Sequence, residues 1–184
     1  KNNQKNKNML LIILYTIASI VGAFLFIALI TKREMSLTSE VIISRSQADV
    51  FNYIKHIKNQ EYYSKWVMAD PNSKITYTGV DGTVGFKAAW NSQMKNVGVG
   101  EQEITKITDG VGYDVILRFE KPFKGISYAN ANTQALSANQ TKVITTFSST
   151  TPFPMNLMSA MMKGMLLKDM NENSANLKKV LEAK

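Results

Sequence analysis

The chain has 184 residues, a formal net charge of +8, one histidine and no cysteine. Without cysteine it has no disulfide framework, and a single histidine leaves too few side chains for a transition-metal centre. Residues 31–184 hold 19 basic and 14 acidic side chains, a mild and dispersed excess without a nucleic-acid motif. We therefore expect no metal ion, no cofactor and no nucleic-acid partner.

Residues 9–30 form an uncharged run of 22 mostly large apolar side chains. As a helix this run is about 33 Å long, which is enough to cross the hydrocarbon core of a bilayer. A cleaved signal peptide is the alternative, but its apolar region is usually about 7–15 residues long and ends in small residues. This run is longer and stays bulky through Ile30, so the pattern favours an uncleaved transmembrane helix.

Basic side chains flank the apolar run unequally, which sets its expected orientation. Three lysines precede it, and Lys32 and Arg33 follow it. Because the more basic flank stays in the cytoplasm, we expect the rest of the chain on the extracytoplasmic side. The predicted organisation is a basic tail (1–8), a transmembrane helix (9–30), a linker (31–36) and one domain (37–184), which is long enough for a single core.

The first part of the domain changes from an extended to a helical pattern. The alternation of residues 37–45 predicts a strand. Ser46, followed three residues later by Asp49, is typical of a helix N-cap and predicts a helix through residue 57. A second short helical segment is expected over residues 59–66, because a proline-containing turn follows it.

From residue 74 onward the apolar period is two, which predicts antiparallel strands joined by hairpins. The glycines of the first hairpin lack the spacing of a phosphate-binding loop before a helix. The predicted strands cover residues 75–77, 84–90, 97–107, 111–119, 123–136 and 142–149. With the first strand they form a curved seven-stranded antiparallel sheet in an α+β fold. One face of this sheet must be covered, and the long helix predicted over residues 155–184 is available to cover it.

The predicted terminal helix contains six of the ten methionines of the chain. Spacings of three and four residues give one apolar stripe, made of Met158, Met162, Met165 or Leu166, Met170, Leu177 and Leu181. Methionine is flexible and is over-represented on surfaces that accept varied apolar partners. The stripe therefore indicates either ordinary core packed on the sheet or the roof of a cavity that holds an apolar ligand.

Several segments occur in an order that is typical of one superfamily. They are residues 46–54, 63–66 before Asp70-Pro71, 82–85 with Trp90, 97–100 with Ile104-Thr105, 119–122 and 169–178. In this order they resemble the SRPBCC superfamily of START-like, birch-pollen-allergen-like helix-grip domains, and more closely its polyketide cyclase/dehydrase-type branch. The resemblance covers nearly everything after residue 36. It implies two short helices after the first strand and a long C-terminal helix packed across the sheet.

The resemblance also carries functional expectations. It implies a pocket between the sheet and the terminal helix that holds hydrophobic molecules such as lipids, sterols, quinones or polyketides. Because an N-terminal membrane segment is common in similar bacterial chains, it implies a single-pass protein of the bacterial cytoplasmic membrane. The chain departs from the family pattern at Lys65, at Asn173-Ser174, and at Asn132 and Gln134. A register shifted by one residue in this last segment would instead point Ala129, Ala131 and Ala135 inward.

Carboxylates are the candidates for chemistry, because the single histidine, His56, is expected to be solvated. Asp169 falls near the apolar stripe, which leaves two alternatives. If its carboxyl is buried there, its pKa is raised and it can serve as a proton donor or ligand anchor. If it lies at the edge of the stripe, it is solvated. Asp114 and Arg118 share one face of a strand, where a solvated role is expected. The expected ligand-binding residues are Met158, Met162, Met165, Leu166, Asp169, Met170, Asn173, Trp90, Tyr113, Leu117 and Asn132.

These expectations give one principal hypothesis and two alternatives. The principal hypothesis is a membrane-anchored START-like domain that binds a hydrophobic small molecule or lipid beneath the terminal helix, as a carrier or a sensor. The second is a cyclase or dehydratase for a polyketide-like substrate, with Asp169 or Asp114 as acid or base. The third is a partner-binding regulator, which a filled core and an exposed apolar patch would favour.

Overall fold

The computed structural model describes residues 2–94 and 97–183. Within these residues a long helix, α1 (Asn2–Ile30), precedes a domain of seven strands and three further α-helices. The strands are β1 (Glu34–Ile43), β2 (Lys74–Thr78), β3 (Lys87–Asn91), β4 (Val99–Thr108), β5 (Gly112–Lys121), β6 (Gly125–Ser137) and β7 (Gln140–Thr150). The helices are α2 (Gln47–Ile54), α3 (Lys65–Met68) and α4 (Asn156–Glu182), with a 3-10 helix (Ile57–Tyr62) before α3. Lys1 of the predicted basic tail and Lys184 of the predicted terminal helix lie outside the described residues.

The strands form one antiparallel sheet in the order β1-β7-β6-β5-β4-β3-β2. This confirms the predicted α+β fold, with short helices after the first strand and a long helix at the end of the chain. The first strand begins at Glu34 rather than at residue 37, so only residues 31–33 separate it from α1. The hairpin between β2 and β3 is longer than predicted, because Gly82 and Gly85 adopt positive φ angles of 80° and 86° that end regular pairing.

Strand register decides which side chains of β6 face the helices. Ala131 pairs with Tyr113 of β5 and lies in the hydrophobic core. Because side chains alternate along a strand, Asn132 points to the outer face, where its Nδ2 donates a hydrogen bond to Asn130 Oδ1 at 3.2 Å. This corrects the expectation that Asn132 lines a ligand site. The alternative register, which turns Ala129 and Ala131 inward, is the one observed.

We call the end of the sheet where β1 begins and β7 ends the α1 end, and the opposite end the far end. At the far end the helices pack directly on the inner face of the sheet. The buried side chains there come from strands, α2 and α4, and include Ile43, Val115, Val143, Val50, Ile54, Leu177 and Leu181. The last turns of α4 are held along β1, where Lys178 Nζ donates to the Ile42 carbonyl oxygen at 2.8 Å. The space between sheet and helices is filled at this end.

The two halves of α4 differ in burial. The second half packs as predicted, with Met170, Leu177 and Leu181 buried. The first half does not, because each step of four residues rotates about 40° around a helix of 3.6 residues per turn. Three such steps turn Met158 about 120° away from Met170. The exposed methionines of the first half form a face of their own, which we call the Met stripe: Met158, Met161, Met162 and Met165.

Leu177→Ala removes a buried side chain from the contact between α4 and the sheet. We expect the free energy of unfolding to fall by about 2–4 kcal/mol, because the substitution loses apolar burial and leaves a cavity. Met161→Ala shortens an exposed side chain of the same helix and should change it by less than about 0.5 kcal/mol. Denaturant unfolding followed by circular dichroism measures both variants. Equal losses in the two would contradict the division of α4 into a packed and an exposed half.

Candidate functional site

The inner face of the sheet is only partly covered at the α1 end, where Leu37 and Ser127 are buried but several larger side chains are not. Trp90, Leu117, Phe119 and Phe147 share this face at the α1 end, and each is only half-buried. Val115, two residues from Leu117 on the same strand, is 5% exposed. The four half-buried side chains form a partly exposed apolar surface on the inner face, which we call the inner groove.

A glycine sets the position of the indole ring in the inner groove. A Cβ atom on Gly100 would lie 2.6 Å from Cζ2 of Trp90, so only glycine lets the ring lie flat against β4. The ring meets Phe119 edge-on with centroids 5.8 Å apart, and its Nε1 donates to the Val97 carbonyl oxygen at 3.3 Å. Since its N–H is already satisfied, Trp90 contributes apolar ring surface to the groove.

The structure brings together only part of the predicted ligand-binding set. Trp90 and Leu117 lie in the inner groove, whereas Tyr113 belongs to the far-end core. On α4, Leu166 is half-buried and Met170 is buried. The predicted helix residues that belong to the Met stripe are exposed, namely Met158, Met162 and Met165. Two of the four predicted sheet residues therefore lie together in the inner groove, and three of the seven predicted helix residues are turned away from it.

Asp169 and Asn173 hold α4 to α3. Asp169 Oδ1 lies 2.8 Å from Lys65 Nζ, and the Lys65 backbone N–H donates to Asn173 Oδ1 at 2.7 Å. Lys65 Nζ also lies 2.7 Å from Glu172 Oε2. The hydrogen bond to Asp169, and to a smaller extent that to Glu172, raises the pKa of the Lys65 ammonium. Lys65 is thus the partner of both residues. An acid or base role for Asp169 stays a prediction, and its carboxylate is engaged in this ion pair.

The remaining charged candidates lie on the surface. Arg118 Nη1 lies 2.8 Å from Glu101 Oε1 and 2.7 Å from Glu103 Oε2 on the neighbouring strand. The hydrogen bond to Glu103 raises the pKa of the Arg118 guanidinium and lowers the pKa of the Glu103 carboxyl. His56 is partly exposed, with Nδ1 3.6 Å from Asp81. In residues 2–94 and 97–183, no group of three or more acidic or histidine side chains is placed to hold a metal ion.

A buried polar network in the core was missed by the sequence reasoning. The hydroxyls of Tyr63 and Tyr113 interact, and Tyr113 also interacts with Gln60, whose Oε1 accepts a hydrogen bond from Gln102 Nε2 at 2.7 Å. Burial raises the pKa of both phenols, and that of Tyr63 rises well above the usual value. The available signal was Gln102, a polar residue at an inward position of β4.

Two depressions open to solvent occur elsewhere on the domain, each of about 410 Å³. One lies between α4 and β1 and is lined by Glu40, Val41, Asn171, Ser174, Lys178 and Glu182. The other is lined by Arg45, Asp49, Asn52, Tyr53, Asn59 and Leu181. None of the predicted ligand-binding residues lines either depression. Neither depression therefore corresponds to the enclosed cavity that the sequence predicts beneath the methionines of α4.

The last turn of α1 is joined to the first turn of α4. Asn156 is 1% exposed, and its Nδ2 donates hydrogen bonds to the carbonyl oxygens of Ala28 at 2.7 Å and Thr31 at 2.8 Å. The last carbonyl groups of a helix have no hydrogen-bond donors within the helix, and here the side-chain amide of Asn156 is the donor. One turn further along α4, Ser159 Oγ lies 4.0 Å from Met35 Sδ. The start of α4 is thus fixed beside α1 at the α1 end.

The raised pKa of Tyr63 predicts a loss of stability in alkali. Above about pH 10 the unfolded chain releases a phenol proton that the folded chain retains, so the free energy of unfolding falls as the pH rises further. Tyr63→Phe should make this decline shallower by at most about 1.4 kcal/mol per pH unit. Tyr62→Phe removes an exposed hydroxyl from the preceding residue and should keep the wild-type decline. Denaturant unfolding over a pH series tests this, and an unchanged slope in Tyr63→Phe would refute it.

No protein-family model matches the chain, and no curated protein matches it. Solved structures share its fold. The structure of norcoclaurine synthase from Thalictrum flavum in complex with dopamine and hydroxybenzaldehyde is 12% identical, with a TM-score of 0.61 over 86% of this chain and 92% of that one. A protein from Mesorhizobium loti is 13% identical, with a TM-score of 0.60 over 82% and 98%. A protein from Arthrobacter aurescens is 19% identical, with a TM-score of 0.55 over 83% and 87%. The chain therefore has the helix-grip fold that its resemblance implied.

Proposed function

We propose that this protein is held in a membrane by α1 and binds a hydrophobic small molecule or lipid in the inner groove, as a carrier or a sensor. The observation that supports this most directly is the uneven cover of the inner face. Helices fill the far end, whereas Trp90, Leu117, Phe119 and Phe147 stay half-buried at the α1 end. An apolar ligand that covers these side chains is stabilised roughly in proportion to the apolar area it removes from water.

The composition and exposure of α1 support the membrane anchor. The segment Gln4–Ile30 is long and apolar enough to span a bilayer, and its most apolar part is not buried against the domain. In water such a helix would leave its large side chains hydrated, at a cost of about 0.8 kcal/mol per CH₂ group. The basic flanks favour a domain on the extracytoplasmic side of a bacterial cytoplasmic membrane.

The inner groove and α1 lie at the same end of the domain, which supports exchange of the ligand with the bilayer. Only residues 31–33 separate α1 from β1, and Asn156 fixes the start of α4 to Ala28 and Thr31. Three residues of extended chain reach about 10 Å, so the groove stays close to the bilayer surface. A ligand that moves between lipid and groove then has little water to cross.

The chemistry of the groove favours an uncharged, elongated ligand. Its four defining side chains are aromatic or aliphatic, and the polar residues that share the inner face nearby include the uncharged Ser127, Thr145 and Gln102. Such groups fix the orientation of a ligand, whereas the apolar surface supplies most of the affinity. The norcoclaurine synthase structure, which has the same fold, holds dopamine and hydroxybenzaldehyde, and this supports a small-molecule role.

Ala129→Phe places a ring on the inner face of β6, between Phe147 of β7 and Val115 of β5. We expect the added ring to occupy the inner groove and displace the ligand. The full chain purified in mild detergent should carry co-purifying lipid or other apolar molecules, detected by native mass spectrometry, and the variant should lose most of them. The matched control is Asn130→Phe, which adds the same ring to the outer face of the same strand and should keep the wild-type occupancy.

Thermal unfolding of both variants separates displacement from misfolding, because only a folded Ala129→Phe variant is informative. A folded variant that retains the wild-type amount of bound lipid would contradict binding in the inner groove. A wild-type chain that carries no apolar molecule and takes up none from a lipid panel would contradict the proposed function itself.

A further inference from the structure

We propose a second contact between this protein and its membrane: the loops at the α1 end and the Met stripe of α4 lie in the interfacial layer of the bilayer that α1 crosses. The inference rests on the membrane anchor of the proposed function and is independent of ligand binding. It concerns a docking surface, and the occupant is the headgroup and upper acyl region of that bilayer.

Strand register brings the relevant segments to one edge of the sheet. Glu34 at the start of β1 pairs with Thr150 at the end of β7, and Lys121 at the end of β5 pairs with Val99 at the start of β4. The β3–β4, β5–β6 and β7–α4 connections therefore all lie at the α1 end. The end of α1 lies there as well, because Asn156 of α4 bonds to its last turn.

These connections carry large apolar side chains in contact with solvent. Phe123 in the β5–β6 connection is 69% exposed. Exposed apolar residues of the other two connections are Met94, Phe153 and Met155. The Met stripe begins immediately after them, and its most exposed member, Met161, is 72% exposed. Large exposed apolar side chains gathered at one end of a domain mark a site of interaction.

The position of this surface identifies the bilayer as its occupant. At 1.5 Å per residue, the Met stripe lies within roughly 15 Å of the start of α4, which is itself fixed to the end of α1. Interfacial helices bury their apolar face roughly 5–10 Å into the headgroup and acyl boundary. A domain tied this closely to a transmembrane helix therefore holds the surface within reach of lipid.

Basic side chains accompany the apolar ones at the same end. Those with exposed positions are Lys32, Arg33, Lys121, Lys124 and Lys163. Lysine and arginine beside an apolar surface are attracted to anionic headgroups while their aliphatic stems remain near the acyl chains. A second copy of this chain would bring equally basic surfaces together, so the charge favours lipid as the occupant.

The absence of cysteine from the sequence makes a labelling experiment direct. Single cysteines that carry a nitroxide label are introduced as Phe123→Cys and Met161→Cys in the full chain, reconstituted in vesicles of phosphatidylethanolamine and phosphatidylglycerol. Ile20→Cys reports the anchor. Val80→Cys, 70% exposed in the β2–β3 connection at the far end, is the matched aqueous control. Collision with oxygen, which concentrates in lipid, is compared with collision with a water-soluble nickel complex.

We expect the oxygen-to-nickel ratio at Phe123 and Met161 to exceed that at Val80 several-fold and to approach that at Ile20. A high oxygen-to-nickel ratio at Ile20, together with ratios at Phe123 and Met161 as low as that at Val80, would overturn this contact and leave the anchor intact. An aqueous ratio at Ile20 would overturn the anchor and this contact with it. Low access of both reagents to Met161 would show a protein surface on the Met stripe and would also overturn the proposal. Each labelled variant must keep the wild-type unfolding midpoint, which its exposed position allows.

Discussion

The arrangement of this molecule depends on a single helix that is fixed at three places along its length. Asn156 at the start of α4 bonds to the end of α1, Asp169 in the middle pairs with Lys65 of α3, and Leu177 near the end packs in the far-end core. A helix of 27 residues is about 40 Å long and cannot rotate freely when it is held in this way. Its geometry then decides which side chains face the sheet and which face outward.

One consequence is the division between a filled and an open half of the sheet. The inward side of α4 supplies Leu177 and Leu181 to the far-end core and buries Met170 two turns earlier. Towards the α1 end its inward residues are smaller or half-buried, such as Ser159 and Leu166. The methionines that would have completed the cover point away from the sheet. The same rotation that leaves the inner groove open therefore produces the Met stripe, so the two apolar surfaces have one structural cause.

How much of this could be predicted from the sequence depends on how local each feature is. The N-cap at Ser46, whose Oγ accepts a hydrogen bond from the Asp49 backbone N–H at 3.2 Å, and the strand pattern were predictable because they involve near neighbours. The Met stripe was not, because a small rotational drift accumulates over twelve residues. The inward face of β6 was ambiguous because Ile126 and Tyr128 lie on its outer face, while alanines fit inward against Tyr113.

Contacts between distant segments were the other source of error. The network of Tyr63, Tyr113, Gln60 and Gln102 joins the 3-10 region to two strands, and no local pattern indicates it. The ion pair of Asp169 with Lys65 joins residues 104 positions apart. Viewed from the sequence, Asp169 was a carboxylate near an apolar stripe, and its partner could not be identified. Charged candidates are therefore predicted less well than secondary structure, because their role depends on tertiary partners.

The proposed function gains a kinetic argument from the location of the two apolar surfaces. Moving an acyl chain of a dozen or more carbons through water costs on the order of 10 kcal/mol, at about 0.8 kcal/mol for each CH₂ group. A groove that opened at the far end would impose this barrier on every exchange. An opening at the α1 end, with the Met stripe and Phe123 in the interfacial layer, would let the chain pass from lipid to protein while it stays in apolar contact. In the proposed arrangement, the anchor, the docking surface and the groove all lower this barrier, which gives a physical reason for the short connection between α1 and β1.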